Sequence, residues 1–242
     1  MNKYLRIEDI GRFENDVKKN ACIAVIPARG GSKSIKNKNI KLLDGKPLIS
    51  YSINHALTSE KIDDVYVTSD SQEILDIAIK HGATPILRPQ ELANDIIHPE
   101  PSIIHVLLEF FEKFNYLPEC TIMLQPTSPI REINNIDDSI KDIFSGEYNS
   151  SISGTKTHYF IWNKDSASNW IAPYGTERPR RQDFHQITET GSFFSFNTKE
   201  FLKTGNRIIS PTNIIETSQN SSYEIDTPSD WEIMESLIKQ RK

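Results

Sequence analysis

Ile23-Ala24-Val25-Ile26 is a short apolar run that leads directly into Pro27-Ala28-Arg29-Gly30-Gly31-Ser32-Lys33. Paired glycines let backbone N–H groups approach an anion closely, and the flanking Arg29 and Lys33 neutralise it. This pattern reads as a phosphate-handling loop at the end of a first strand. An ordinary strand-to-helix turn rarely carries cations on both sides of its glycines. The loop departs from the nucleoside-triphosphatase spacing GxxxxGK[ST], because Gly30 and Gly31 are adjacent and Lys33 follows Ser32. The dinucleotide spacing GxGxxG is absent as well.

Near the other end of the chain stand Glu224 and Asp226, two residues apart in a segment expected to be a strand. Period-two geometry puts both carboxylates on one face. Two hard oxygen donors suit Mg²⁺, which completes its shell with waters and substrate phosphates. The histidines His55, His81, His98 and His105 show no metal-ligand spacing, and no Gly-x-Ser-x-Gly elbow supports acyl transfer. His158 and His185 are candidate substrate contacts. Cys22 and Cys120 each open an apolar run and read as reduced, buried core thiols.

The elements that must position these groups alternate. Strands are expected at Cys22 to Ile26, Asp64 to Thr68, Ala83 to Leu87, Thr121 to Leu124 and Ser150 to Thr155. Helices are expected at about 48–58, 71–81, 102–114 and 136–144. This order spells an α/β domain with a mainly parallel sheet. Ligands bind such sheets at the carboxyl ends of the strands. There lie Arg29 to Lys33, Ser69-Asp70, Arg88 and Gln125 to Ser128. The alternation breaks between about 158 and 183, a stretch with Trp162, Trp170, Tyr174 and the basic run Arg178-Pro179-Arg180-Arg181. It reads as an excursion from the sheet, a lid or an oligomer contact. A strand then resumes at 191–196. Thr227 is the expected N-cap of a closing helix, with Pro228 at its first position. Residues 1–20 read as an N-terminal extension, with Ile7, Ile10, Phe13 and Val17 at helical spacing, and 21–242 as one domain.

The net charge of −5 argues against a general nucleic-acid binder. No apolar run approaches the ~20 residues that span a bilayer, and the first residues lack an apolar signal core. The expectation is a cytoplasmic protein with no membrane or nucleic-acid partner.

Several segments together resemble the acylneuraminate cytidylyltransferases, the CMP-sialic acid synthetases and their legionaminic and pseudaminic acid relatives. They are Ile26 to Lys33; Lys38-Asn39-Ile40; Gly45 to Ile49; Thr68-Ser69-Asp70; Arg88-Pro89 with Leu92 and Asp95; Leu124 to Pro129 with Arg131; Arg181-Gln182-Asp183; and Glu224 to Pro228. They fall in the right order over about residues 21 to 235. The resemblance implies a Rossmann-like nucleotide-diphospho-sugar transferase fold with a dimerisation excursion, and a homodimer.

It also implies a reaction, in which the anomeric hydroxyl of an acidic nine-carbon sugar attacks the α-phosphate of CTP with Mg²⁺ present. Arg29, Ser32, Lys33 and Lys38 would then hold the triphosphate and stabilise the leaving pyrophosphate. Ala28, Gly30, Gly31, Asn39, Asp70 and Arg88 would complete the nucleotide site. Gln125, Arg181 and Gln182 would reach the sugar, the arginine as a fork for its carboxylate. Asp226 and Glu224 would hold the metal. Where the family usually has glycine and proline this chain has Ser34 and Lys36-Asn37. Residues 98–101 replace small hydroxyl residues, His185 replaces a proline, and Glu224 stands where Asp is usual. These departures bear on which sugar is used. The chain is expected to carry no further phosphatase-like domain. The other readings are a synthetase for the eight-carbon sugar Kdo, disfavoured by the Gly30-Gly31-Ser32-Lys33 loop, and a non-catalytic nucleotide-binding protein. A nicotinamide-dependent oxidoreductase is disfavoured by the missing glycine spacing.

Overall fold

The computed structural model describes residues 16–92, 98–184 and 186–241. The strands are β1 (Val17–Pro27), β2 (Leu42–Leu43), β3 (Lys46–Pro47), β4 (Asp64–Ser69), β5 (Thr84–Leu87), β6 (Leu117–Leu124), β7 (Ser150–Thr157), β8 (Asn163–Lys164), β9 (Trp170–Ile171), β10 (Gln186–Asn197) and β11 (Thr212–Glu216). The helices are α1 (Leu48–Thr58), α2 (Gln72–Lys80), α3 (Glu100–Phe114), α4 (Ile133–Ser145), α5 (Thr198–Thr204) and α6 (Pro228–Lys239).

Seven strands form the central sheet in the order β11-β7-β10-β6-β1-β4-β5. All neighbouring pairs are parallel except those made by β10, which runs against both β6 and β7. The α/β architecture with a mainly parallel sheet is therefore as the alternation foretold. Strand β1 shows why it is central. Cys22, Ala24 and Ile26 enter one apolar cluster with residues of α1, α2 and α4, while Ile23 and Val25 enter another with α3 and α5. A strand buried on both faces reads as an unbroken apolar run. Cys22 and Cys120 are register partners on β1 and β6, free and fully buried. Burial, then the neighbouring Cys120, pushes the Cys22 thiol well up, so it stays protonated.

A third cluster seats α6 on the site side, where Trp231, Met234 and Ile238 pack with Ile35, Leu43, Leu48, Ile130 and Ile225. Helix α6 starts as expected. Thr227 accepts from the Asp230 amide, the Asp230 carboxylate accepts from the Thr227 amide, and Pro228 fills the first turn.

Three expectations change. Strand β1 begins at Val17, inside the segment assigned to the extension, because Val17 and Lys18 pair with Leu117 and Pro118 and Lys19 forms an ion pair with Glu119. Val17 is thus in a strand, while Ile7, Ile10 and Phe13 lie outside the described residues, as do Asp95 and His185. Glu224 to Asp226 belongs to no strand. It docks on the 125–129 turn through one backbone bond, Ile225 N to Thr127 O (2.9 Å), and Pro126 and Pro129 prevent that turn from offering a ladder. The 191–196 strand is the inner half of a longer one, β10.

The stretch 158–183 leaves the sheet. It holds the small β8–β9 hairpin, a 3-10 turn at Arg181–Asp183, and an aromatic group in which Phe160 stacks on Phe184 (4.7 Å) and meets Tyr174 edge-on (5.3 Å). Tyr159, Trp162 and Trp170 remain at least half exposed. No helix among the described residues is long and apolar enough to cross a membrane.

Candidate active site

Parallel strands bring their carboxyl ends to one edge of the sheet, and the charged residues collect there. The loop after β1 is tied down at each step. The Ala28 amide donates to Thr68 O (3.0 Å), the Gly30 amide to Asp70 Oδ1 (3.0 Å), and Asn39 Nδ2 to Arg29 O (2.9 Å). A Cβ on Gly30 would meet Ser71 Cβ at 3.0 Å, so glycine is needed for that close approach, whereas Gly31 faces open space. Arg29 and Ser32 are half-buried, and Lys33 is exposed.

Asp70 also lies 3.6 Å from Arg88 Nη2. Arg88 is buried, donates from Nη1 to Ser102 Oγ (3.0 Å), and leaves Nε without a partner. Burial lowers its pKa and Asp70 opposes that shift. A buried guanidinium with an unmet donor is costly unless something arrives to accept it. Asp70 therefore sits between the glycine loop and Arg88 and holds both.

Lys38 joins the two ends of the chain. Its ammonium donates to Ile225 O (2.7 Å) and to Asp226 Oδ1 (3.1 Å), with its own side chain only 11% exposed. Ile225 is buried beneath, so Glu224 and Asp226 both face away from that core. They feel each other's charge. Burial first, and Asp226 second, raise the Glu224 pKa.

Glu224 Oε1 accepts from Ser128 Oγ (3.3 Å) and Gln125 Nε2 (3.4 Å). Gln125 Nε2 also donates to Gly191 O (2.6 Å). Gly191 has φ +65° and lies in a break of register, where β10 skips from Glu189 opposite Gly154 to Phe194 opposite Ile152. A bulge of this kind re-aims the backbone. Here it brings Gly191 against Glu224 and Gln125 so closely that an added Cβ would collide with both.

Beneath them the fully buried Arg131 donates to the carbonyls of Gln125 and Ser192 (2.8 Å to the latter) and to Ser52 Oγ (3.0 Å). Burial pulls its pKa down to about 9, against the opposing charge of Glu224. Arg131 thus satisfies carbonyls freed by the bulge and the turn.

Of the residues expected from sequence, Ala28 to Lys33, Lys38, Asn39, Asp70, Arg88, Gln125, Glu224 and Asp226 share this edge. Arg181 and Gln182 do not join them. They are exposed on the 3-10 turn of the excursion and make no hydrogen bond or ion pair with the cleft residues. Sequence reasoning placed Ser128 at a ligand-facing strand end and Arg131 within the family pattern without assigning either a task, and it gave no role to Ser102 or Gly191. Gly191 carried a local signal, a glycine inside a strand pattern.

Among the described residues no three His, Cys, Asp or Glu side chains group to cage a metal. The adjacent carboxylates of Glu224 and Asp226 still fit Mg²⁺, which needs one or two protein carboxylates when phosphates supply the rest.

A sheet edge that gathers a glycine loop, the cationic side chains of Arg29, Lys33, Lys38 and Arg88, and a carboxylate pair defines an α/β nucleotide-handling enzyme. Sequence comparison makes the class specific: the profile described as cytidylyltransferase matches residues 23–242, and the chain belongs to that family. It is 32% identical to the CMP-N,N'-diacetyllegionaminic acid synthase of Legionella pneumophila over 231 residues, covering 90% of this chain and 96% of that one. It is 30% identical to a pseudaminic acid cytidylyltransferase of Campylobacter jejuni, covering 91% and 97%. The N-acylneuraminate cytidylyltransferase of Escherichia coli is 32% identical over 91% of this chain, which spans 52% of that longer protein. The fold is similar to that of a CMP:2-keto-3-deoxy-manno-octonic acid synthetase, with a TM-score of 0.67 at 16% identity, covering 92% of this chain and all of the other.

Proposed function

We propose that this enzyme joins CTP to an acidic nine-carbon sugar, giving a CMP-sugar and pyrophosphate. The observation that carries the reading is the Lys38 bridge, which fixes the phosphate loop against the carboxylate pair across 188 residues of chain. The full-length likeness to enzymes named for legionaminic and pseudaminic acids supports the nine-carbon class.

The sugar's anomeric oxygen forms a bond to the α-phosphorus as the bond from that phosphorus to the β-phosphate oxygen breaks. The hydroxyl proton is lost and pyrophosphate leaves. Arg29, Ser32 and Lys33 hold the triphosphate, so the leaving group's charge develops beside fixed cations. Asn39 and Arg88 take the nucleoside end, with Arg88 Nε as the waiting donor. Gln125 positions the sugar and Arg131 holds Gln125. Asp226 and Glu224 would hold Mg²⁺, which neutralises phosphate charge when bound. Arg181 and Gln182 serve the sugar carboxylate from a second copy, with the excursion crossing a homodimer. CTP as substrate is consistent with a cytoplasmic setting.

The test is pyrophosphate release from CTP and Mg²⁺ against neuraminic, legionaminic, pseudaminic and Kdo sugars, with Asp226→Ala beside the parent. Release with one nine-carbon sugar, abolished in Asp226→Ala at unchanged unfolding temperature, is expected. Release only with Kdo refutes the sugar class, and full activity in Asp226→Ala refutes the metal assignment.

A further inference from the structure

Beyond the end of β6, strands β7 and β10 continue as a two-stranded ribbon that pairs Thr155 to Thr157 with Gln186 to Thr188. Between this ribbon and the 3-10 turn Gln219–Ser222 lies a recess of about 250 Å³. Its wall adjoins the site along the chain at two places. Tyr223 immediately precedes Glu224, and Thr188 and Glu189 precede the Gly191 bulge.

The chemistry of the lining excludes most occupants. Thr155 Oγ1 is spent on Thr217 O (3.1 Å), Ser222 Oγ on Gln219 O (2.6 Å), and Thr157 Oγ1 accepts from the Tyr159 amide (3.2 Å), which leaves the Thr188 and Tyr223 hydroxyls, the Gln219 amide and the rings of His158 and Tyr159 to face an occupant. The lysine on the wall, Lys156, is already paired with Glu216 at 2.8 Å, while Glu189 adds negative charge. A phosphate or carboxylate would meet the like charge of Glu189, and a purely apolar group would leave the Thr188 and Tyr223 hydroxyls unused. Volume narrows the choice further. At ~30 Å³ per water, the recess holds about eight waters' worth of ligand, less than the ~300 Å³ at which pockets for whole small molecules begin. It suits a neutral arm of a larger substrate whose charged end lies elsewhere. The face of Tyr223, 45% exposed, offers a surface for the C–H groups of such an arm.

We propose that this recess binds the neutral side arm of the acidic sugar, its exocyclic hydroxyl chain or N-acyl amide, and that Thr188 and Tyr223 decide which arm is accepted. The inference rests on the proposed cytidylyltransferase reaction. Glu189 also fixes orientation, since a sugar entering with its carboxylate toward the recess would meet a like charge.

The test compares parent, Thr188→Val and Tyr223→Phe with acid sugars that differ only in the N-acyl group or the exocyclic chain. Both changes keep shape and remove one hydroxyl. The expected result is a change of about tenfold in the ratio of kcat/KM between two such sugars, the size a single pocket contact supports. The KM for CTP stays within twofold. An unchanged ratio in both variants overturns the recess while leaving the reaction intact. In parallel, each sugar is titrated without CTP and followed by NMR. Shifts at Thr188 and Tyr223 for a sugar that gives no pyrophosphate once CTP and Mg²⁺ are added support the recess and overturn the reaction. Sugar binding that leaves both signals unmoved overturns the recess, and no binding by any sugar overturns both.

Discussion

Gly191→Ala is the sharpest perturbation of the cleft, because Gly154→Ala provides a matched control. At Gly191 the backbone has φ +65°, which costs an L-residue roughly 1–2 kcal/mol. The new methyl would also lie 2.8 Å from Gln125 Nε2 and 3.1 Å from Glu224 Cδ, and collide with Glu224 Oε1. Both side chains must retreat. A displacement approaching 1 Å at a reacting centre costs on the order of 100-fold in rate. At Gly154 the backbone φ is ordinary, and the methyl would crowd Ile187 Cγ2 and Ile214 Cγ2 (2.6 Å to the latter), neither of them a polar residue of the cleft. Overpacking of that kind costs about 1–3 kcal/mol. The two variants should therefore lose similar stability by urea unfolding and differ in catalysis. Pyrophosphate release per folded molecule should fall about 100-fold for Gly191→Ala and less than fivefold for Gly154→Ala. Parental turnover in Gly191→Ala would show that the reaction does not depend on the placement of Gln125 and Glu224.

Two further outcomes are expected. Arg131→Met leaves carbonyls of the 125 turn and the bulge short of a donor, a loss of about 1–3 kcal/mol, and should raise KM for the sugar far more than KM for CTP. Equal rises in steady-state kinetics would make Arg131 a folding residue alone. His55 is largely buried with Nδ1 unpartnered, and burial, then Arg131 and Arg241, pull its pKa down to about 3. The unfolded chain then binds a proton that the folded chain refuses. This contribution to stability is complete above pH 6.5 and lost as pH falls toward 3, by up to about 1.4 kcal/mol per unit. Urea midpoints of His55→Asn measured across that window should fall less steeply with acid than the parent's, and parallel curves would refute the assignment.

Local signals made much of the frame legible. Helix α1 occupies the span its apolar face marks out, and the Thr227 cap with Pro228 fixes the start of α6. The strand ends were legible too, since a buried strand that ends in charge has few other uses. What stayed hidden depends on distant partners. Strand β11 is a five-residue edge whose pairing with β7 supplies its identity. Val17 and Lys18 look like an extension until Leu117 and Pro118 lie beside them. Arg131 looks like any surface arginine after a proline turn. Its burial follows from a bulge on a strand 60 residues away, to whose Ser192 carbonyl it donates. Glu224 and Asp226 keep strand-like alternation without a ladder, so the face was right and the element was not.

The reversed strand β10 has a consequence for how such an enzyme changes over generations. Because it runs down from the cleft into the sheet, its inner half carries Phe193, Phe194 and Phe196, all fully buried. Its outer half, from Ile187 to Glu189, is exposed. In the proposed reaction the nucleotide is held by residues from the first strands of the chain, and the recess offered to the sugar's arm is built from later ones. Mutations in the outer ribbon therefore leave the buried aromatic side chains of the inner half and the glycine loop after β1 untouched. If the ribbon recess takes the sugar's arm as proposed, descendants of one ancestor can change their acidic sugar there while the fold stays constant.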